Sequence, residues 1–187
     1  MKTQGRFSLK QNVNYALRDK DGNLKKLFQP NALGLWLLKA GLLSPRVKVP
    51  FIFGNYAASM TISNLVVDAG KAGVAGLING VVTNFFEYIA IGTGAVAPAA
   101  GDTALGAEIS TGGGARAAGT TSRVTTDVTN DTAQIVVTFA FTSSFAVTES
   151  GVLDSAAAGT LLARQTFSAI NVVNGDSLQV TWKFDVD

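Results

Sequence analysis

The sequence predicts a mainly β protein: an antiparallel β-sandwich with one packed helix and an extended N-terminal arm. Three observations predict it. Leu178, Val180, Trp182, Phe184 and Val186 alternate with Gln179, Thr181, Lys183 and Asp185, the period of two expected of a strand with one face buried and one wet. Ile135, Val137, Phe139 and Phe141 alternate in the same way with Val136, Thr138, Ala140 and Thr142. Twenty glycines, set among many Thr, Val and Ala, supply turns and β-branched side chains.

Taken in order, residues 1–50 read as a basic arm carrying a short apolar helix, and residues 51–187 as the sandwich body. Within the arm, Asp21-Gly22 lies between two apolar stretches, residues 15–17 and 24–27, which is a hairpin signal. Pro30-Asn31 breaks the chain, and residues 33–43 read as a short buried helix that stops near Gly41 and Pro45. On this reading residues 1–30 are dispensable for folding of the body. Residues 46–60 read as a strand bent at Gly54-Asn55.

A helix is expected at about 62–81, capped by Thr61 or Ser63. Ile62, Val66, Ala69, Gly73 and Leu77 keep helical spacing, and Gly70, Gly73, Gly76 and Gly80 form a second stripe of small residues. Each such glycine weakens a helix by roughly 1 kcal/mol relative to Ala, which is tolerable where another backbone packs closely on that face. Residues 85–91 read as a strand buried on both faces, and residues 92–122 as a long loop. Strands at 145–152 and 160–167, with a turn at Asn174-Gly175-Asp176, complete the sandwich.

The chain has neither Cys nor His. Disulfides, thiolate metal sites, a Ser-His-Asp triad, His-ligated zinc and a two-His iron site are thereby excluded. No enzyme activity, cofactor or metal is expected. Glu87, Glu108 and Glu149 are the only glutamates; a pair of them at the right separation would suit glycoside hydrolysis, but nothing in the sequence pairs them. Glu108 and Glu149 are read instead as acceptors of loop backbone hydrogen bonds. Asp127, Asp131 and Asp154 fit no EF-hand spacing and are read as turn formers. Gly92-Thr93-Gly94 lacks the remaining residues of a dinucleotide or P-loop motif and reads as a turn. Trp182, on an apolar strand face, is read as core.

Charge is unevenly spread. Residues 1–50 hold ten Lys/Arg and two acids, a net of +8, whereas residues 51–187 net −6. A basic arm on an acidic body suits contacts between copies or with other acidic protein surfaces. The expected interface residues are Lys2, Arg6, Lys10, Arg18, Lys20, Lys25 and Lys26, with Trp36 as an aromatic anchor. With Asp19 and Asp21 among them the basic residues are too sparse for a nucleic-acid tail, so no nucleic acid is expected. The apolar run 32–43 is too short to span a bilayer, and the stretch 72–92 is interrupted by Asn79, Asn84 and Glu87; no membrane contact is expected.

Four phrases then follow one another: TISNLVVDAGKAGVAGLINGV (Thr61 to Val81), YIAIGTGAVAPAAGDTALGAE (Tyr88 to Glu108), VTESGVLDSAAAGTLLARQTFS (Val147 to Ser168) and GDSLQVTWKFDVD (Gly175 to Asp187). Their succession resembles the attachment domains of phage tail-collar and tail-fibre proteins, over roughly residues 60–187. The resemblance implies a non-enzymatic bacteriophage virion structural protein, assembled in the bacterial host cytoplasm. It would act at the tail, neck or collar, or baseplate as an adaptor or fibre-attachment protein. Its partners would be portal or neck, tail or capsid subunits, and it would form a homo-oligomer. The sequence ends with the last sandwich strand, which on this reading favours a collar or adaptor over a fibre. Capsid decoration on the head lattice is the alternative. A carbohydrate- or receptor-binding module is the third, and calls for exposed aromatics in the loop 92–122, where the sequence has none.

Overall fold

The computed structural model describes residues 9–186. In chain order the elements are β1 (Leu9–Arg18), β2 (Leu24–Lys25), β3 (Leu27–Pro30), α1 (Ala32–Lys39), β4 (Gly54–Ala57), β5 (Met60–Ser63), β6 (Leu65–Val66) and α2 (Asp68–Ile78). There follow β7 (Tyr88–Gly92), β8 (Ala117–Ala118), β9 (Thr120–Val124), β10 (Thr132–Ala140), β11 (Phe145–Leu153), β12 (Leu161–Val172) and β13 (Ser177–Val186). The protein is mainly β, and its sheets are antiparallel and packed face to face. One sheet runs β2-β1-β13-β10-β9, with β5 also pairing β1; the other runs β6-β12-β11-β7-β8; β3 and β4 form a separate ribbon.

The two alternating patterns do place their apolar sides inward. Ile135, Val137, Phe139, Leu178, Val180, Trp182 and Phe184 are all buried. Tyr15 joins the sheets: its ring packs on Phe167 at a centroid distance of 4.2 Å, and its hydroxyl shares a 2.6 Å hydrogen bond with Ser150 Oγ of the opposite sheet. Burial pushes the Tyr15 phenol pKa far above its ordinary value, so this link persists as a neutral hydrogen bond.

The N-terminal residues are not an arm beyond position 8. β1 pairs along all ten residues with β13, from Leu9 opposite Val186 to Arg18 opposite Ser177. Val13, Tyr15 and Leu17 lie in the core. Polar Asn12 and Asn14 on the other face disguise the strand, but ladder pairing with β13 and burial of every second side chain fix it. Residues 1–30 therefore include a strand flanked on both sides, with Val13, Tyr15 and Leu17 in the core, so their removal is expected to destabilise the body rather than leave it intact. The hairpin signal is realised: Leu17 pairs Lys25 and Arg18 pairs Leu24, and Gly22 takes the positive φ of +84° that the turn requires.

α2 is shorter than the expected 62–81. Residues 60–63 pair with β1 and residues 65–66 with β12, so strand pairing overrides helical periodicity there. Neither Thr61 nor Ser63 caps α2; Val67 does so with no side-chain bond, and Asp68 sits in the first turn, where the helix dipole favours an acid. The small-residue stripe works as close packing. A Cβ at Gly70 would overlap the Leu162 carbonyl of β12, and those at Gly73 and Gly76 would press on Phe86 and Val82.

α1 overlaps the expected 33–43 but starts one residue earlier and ends at Lys39, and it is not a buried helix: it buries only Gly34 and Leu38. The expected loop 92–122 ends in two strands. β8 pairs β7 of one sheet and β9 pairs β10 of the other, so the chain crosses between sheets at Gly119. β9 lies at a sheet edge and is mostly exposed, so it carries no alternation to read. β12 bulges between Thr166 and Ile170, against only Glu149 and Val147 on β11. The bulge frees the Ala169 N–H, which donates to the Pro45 carbonyl at 2.7 Å. Among the described residues no helix is long and apolar enough to cross a membrane.

Candidate assembly interface

The segment between β3 and β4 has few core residues, and Asn31 organises it. Its Oδ1 accepts the Gly34 N–H at 2.9 Å, capping α1. Its Nδ2 donates to the Ile52 carbonyl at 2.8 Å, and its backbone N–H donates to the Phe53 carbonyl at 2.8 Å. One residue thus ties the start of α1 to the loop that precedes β4. Gly34 lets the two backbones touch, since a Cβ there would overlap the Phe53 carbonyl. The loop closes on itself through Phe51 N–H to Gly54 O at 2.8 Å and Phe53 N–H to Val49 O at 3.0 Å. At the far end of α1, Lys39 Nζ donates to Ser63 Oγ at 2.9 Å.

This scaffold presents apolar side chains outward. Phe51 has φ +66°, a left-handed conformation that costs a residue with a Cβ about 1–2 kcal/mol. Its side chain is nonetheless 89% exposed, so packing within the chain does not compensate the strain. Trp36 is 60% exposed, and Leu33, Leu42, Val47, Ile52 and Tyr56 are exposed as well. With Leu24, segment 24–56 carries eight of the fifteen exposed large apolar side chains among the described residues. Burying a Phe-sized side chain contributes roughly 1.5–3 kcal/mol, enough to offset the Phe51 strain once a partner covers it.

The structure disperses the expected interface residues. Lys2 and Arg6 lie outside the described residues. Lys10 is near the start of β1, opposite Asp185. Arg18 donates to the Gly22 carbonyl at 2.9 Å and so serves the turn. Lys20 is exposed beside Asp21 at 4.0 Å. Lys25 pairs with Asp176 at 2.8 Å. Lys25 and Lys26 line one cavity with Lys48. Trp36 stands on the outer face of α1. Lys10 and Lys25 are separated by most of β1, roughly 25 Å at strand rise, so the six that are described do not form one patch. Phe51, Ile52 and Leu42 were not singled out from sequence. Pro50 before and Gly54 after the Phe-Ile-Phe run were the available sign that a turn exposes it.

The carboxylates that invite catalytic readings are engaged elsewhere. Glu149 is fully buried and accepts the N–H groups of Gly94, Gly106 and Ala107 at 2.9, 2.9 and 2.7 Å. Arg164 Nε and Nη2 reach it at 2.9 and 2.8 Å. Arg164 also pairs with Asp102 at 2.7 Å and donates to the Val96 carbonyl at 3.0 Å. The loop 93–107 is thus held down by one buried carboxylate, as expected for Glu149. Glu108 differs from expectation: its carboxylate takes a two-pronged ion pair from Arg116 at 3.0 and 2.7 Å. It is Arg116 that reaches loop backbone, at the Ser155 and Ala158 carbonyls. Asp131 accepts the N–H groups of Thr126, Asp127 and Val128, and Asp154 that of Thr160, both as turn formers. Trp182 is core, with no exposed surface.

Compared with family models, with curated proteins and with solved structures, the chain returns no match.

Proposed function

We propose that this chain is a non-enzymatic structural component of a tailed-phage particle, an adaptor of the tail, neck or baseplate that assembles through segment 24–56. The observation that carries the proposal is Phe51, held in a strained conformation and 89% exposed. The loop hydrogen bonds hold that backbone, but the side chain gains little packing among the described residues in return, which suits a contact made outside the chain. The exposed Trp36 and Ile52 on the same hydrogen-bonded scaffold support the reading, since rigid aromatic anchors dominate protein interfaces. The resemblance of residues 60–187 to phage attachment domains supplies the virion setting. The partners are other virion proteins and further copies of the chain.

Copy number tests it. Quantitative mass spectrometry of purified particles, scaled to the major capsid protein, is expected to give a small multiple of three or six, on the order of a dozen copies, as ring symmetry requires. On the order of hundreds of copies would move the protein to the head lattice as a decoration protein. Absence from particles would overturn the virion reading. Phe51→Asp is expected to leave the chain folded and lower incorporation at least tenfold.

A further inference from the structure

Below the ribbon lies a cavity of about 160 Å³ whose walls include Lys25, Lys26, Lys48, Leu17, Phe28 and Asn171. Three lysines line it, and they come from separate parts of the chain. Lys25 ends β2, Lys26 precedes β3, and Lys48 belongs to the loop that the Pro45–Ala169 hydrogen bond fastens to β12. Among the described residues one of the three is neutralised: Asp176 pairs with Lys25 at 2.8 Å. Among the described residues no carboxylate pairs with Lys26 or Lys48. Burial, with no counter-charge to oppose it, holds the Lys48 pKa below its ordinary value. A lysine that is partly desolvated beside two others would gain from an added negative charge.

We propose that this cavity is an oxyanion-binding site, in which Lys26 and Lys48 hold a single carboxylate or phosphate group and Lys25, already paired with Asp176, closes the wall. Two sources share that chemistry. One is free phosphate. The other is a carboxylate of a second copy, and the fold offers one at the opposite end of the same sheet. Asp127 is exposed in the turn between β9 and β10, beside Thr126, whose hydroxyl bonds that of Thr132 at 2.6 Å, and Thr132 pairs with Asp185. Lys10 faces that same Asp185, whereas Lys25 pairs with Leu17. The two ends stand roughly 25 Å apart, so Asp127 cannot reach the cavity of its own chain. Between copies the contact would be head-to-tail, the kind that closes rings. The site does not depend on the virion reading.

The test uses the full chain in chloride buffer at low ionic strength, with inorganic phosphate as the probe. Lys48→Met keeps the aliphatic stem and removes the charge; Lys26→Met, at an exposed position, is the second variant and has little core to disturb. At ten times its Kd, phosphate multiplies the folding constant about elevenfold, a rise in Tm of about 3–6 °C for a chain of this size. That rise, saturable and lost in Lys48→Met, supports the site with free phosphate as ligand. No rise, but self-association in sedimentation velocity that both lysine variants and Asp127→Asn weaken, supports the site with a carboxylate of a second copy as ligand. Neither response, or a Tm rise that both lysine variants keep, overturns the proposal. Particle copy number answers separately for the proposed function.

Discussion

Glu149→Gln isolates what holds the loop 93–107. The wild-type carboxylate is fully buried and takes five donors: three backbone N–H groups at 2.7–2.9 Å and two guanidinium nitrogens at 2.9 and 2.8 Å. Glutamine fills the same space but accepts at one terminal atom only, and its own N–H₂ must face a donor. Arg164 is then left with Asp102 as its only carboxylate, at 2.7 Å. Removing one member of a buried ion pair costs about 3–5 kcal/mol, a fall in Tm of about 6–20 °C for a chain of this length. Urea melts followed by circular dichroism measure the loss, with an unchanged slope showing that the same surface unfolds. Amide exchange at Gly94, Gly106 and Ala107 is expected to accelerate more than at β13. Adding Arg164→Met to the variant costs less than the sum of the two single changes, because the second charge no longer stands unpaired. A loss below about 1 kcal/mol with unchanged exchange at those amides would refute the assignment of the loop to this carboxylate.

Four further outcomes follow from single contacts. Trp182→Ala is expected to lose about 3–5 kcal/mol in a denaturant melt; a change near zero would mean that the indole is not core. Phe51→Gly relieves the left-handed strain, partly offset by the extra freedom of glycine in the unfolded chain, so the isolated chain keeps its stability or gains up to about 1 kcal/mol; a loss above about 2 kcal/mol would show that Phe51 packs within its own fold. Gly70→Ala is expected to destabilise by about 1–3 kcal/mol through overlap with the Leu162 carbonyl, although Ala is the better helix former by about 1 kcal/mol; a more stable variant contradicts the close approach of α2 to β12. Asp131 is held below the usual carboxylate range, first by the Val128 N–H and then by those of Thr126 and Asp127. A depressed folded pKa gives stability that is present above the unfolded value, about pH 4, and is lost as the pH falls through the folded one. Asp131→Asn is therefore less stable than wild type at neutral pH, and the two converge well below pH 4; parallel stability curves would rule this out.

The candidate site was legible only in fragments. Trp36 stood out by type, and the basic residues by number, but neither observation tells which face of the fold a residue joins. Lys48 drew no attention because one lysine in a basic segment is unexceptional; its meaning comes from Lys25 and Lys26 beside the same cavity. Phe51 reads as a strand residue in an apolar run, and its left-handed backbone arises from the ties of the loop to Asn31 and Gly54.

What the sequence determined by itself is local. The alternations of β10 and β13 set which side chains face the core, because a strand has only two faces. Asp21-Gly22 and Gly175 set turns, because few residues tolerate positive φ there. Glu108 and Glu149 carried the same reading as acceptors of loop backbone, and it holds for Glu149 but not for Glu108, which pairs with Arg116. Only the tertiary structure decided which strands pair. It drew β1 into the centre of a sheet, took residues 60–66 from the helix into two strands, and joined Arg164 to Glu149. Periodicity along a chain records how a segment divides between core and water, whereas pairing depends on a partner that can lie more than a hundred residues away, as β13 does from β1.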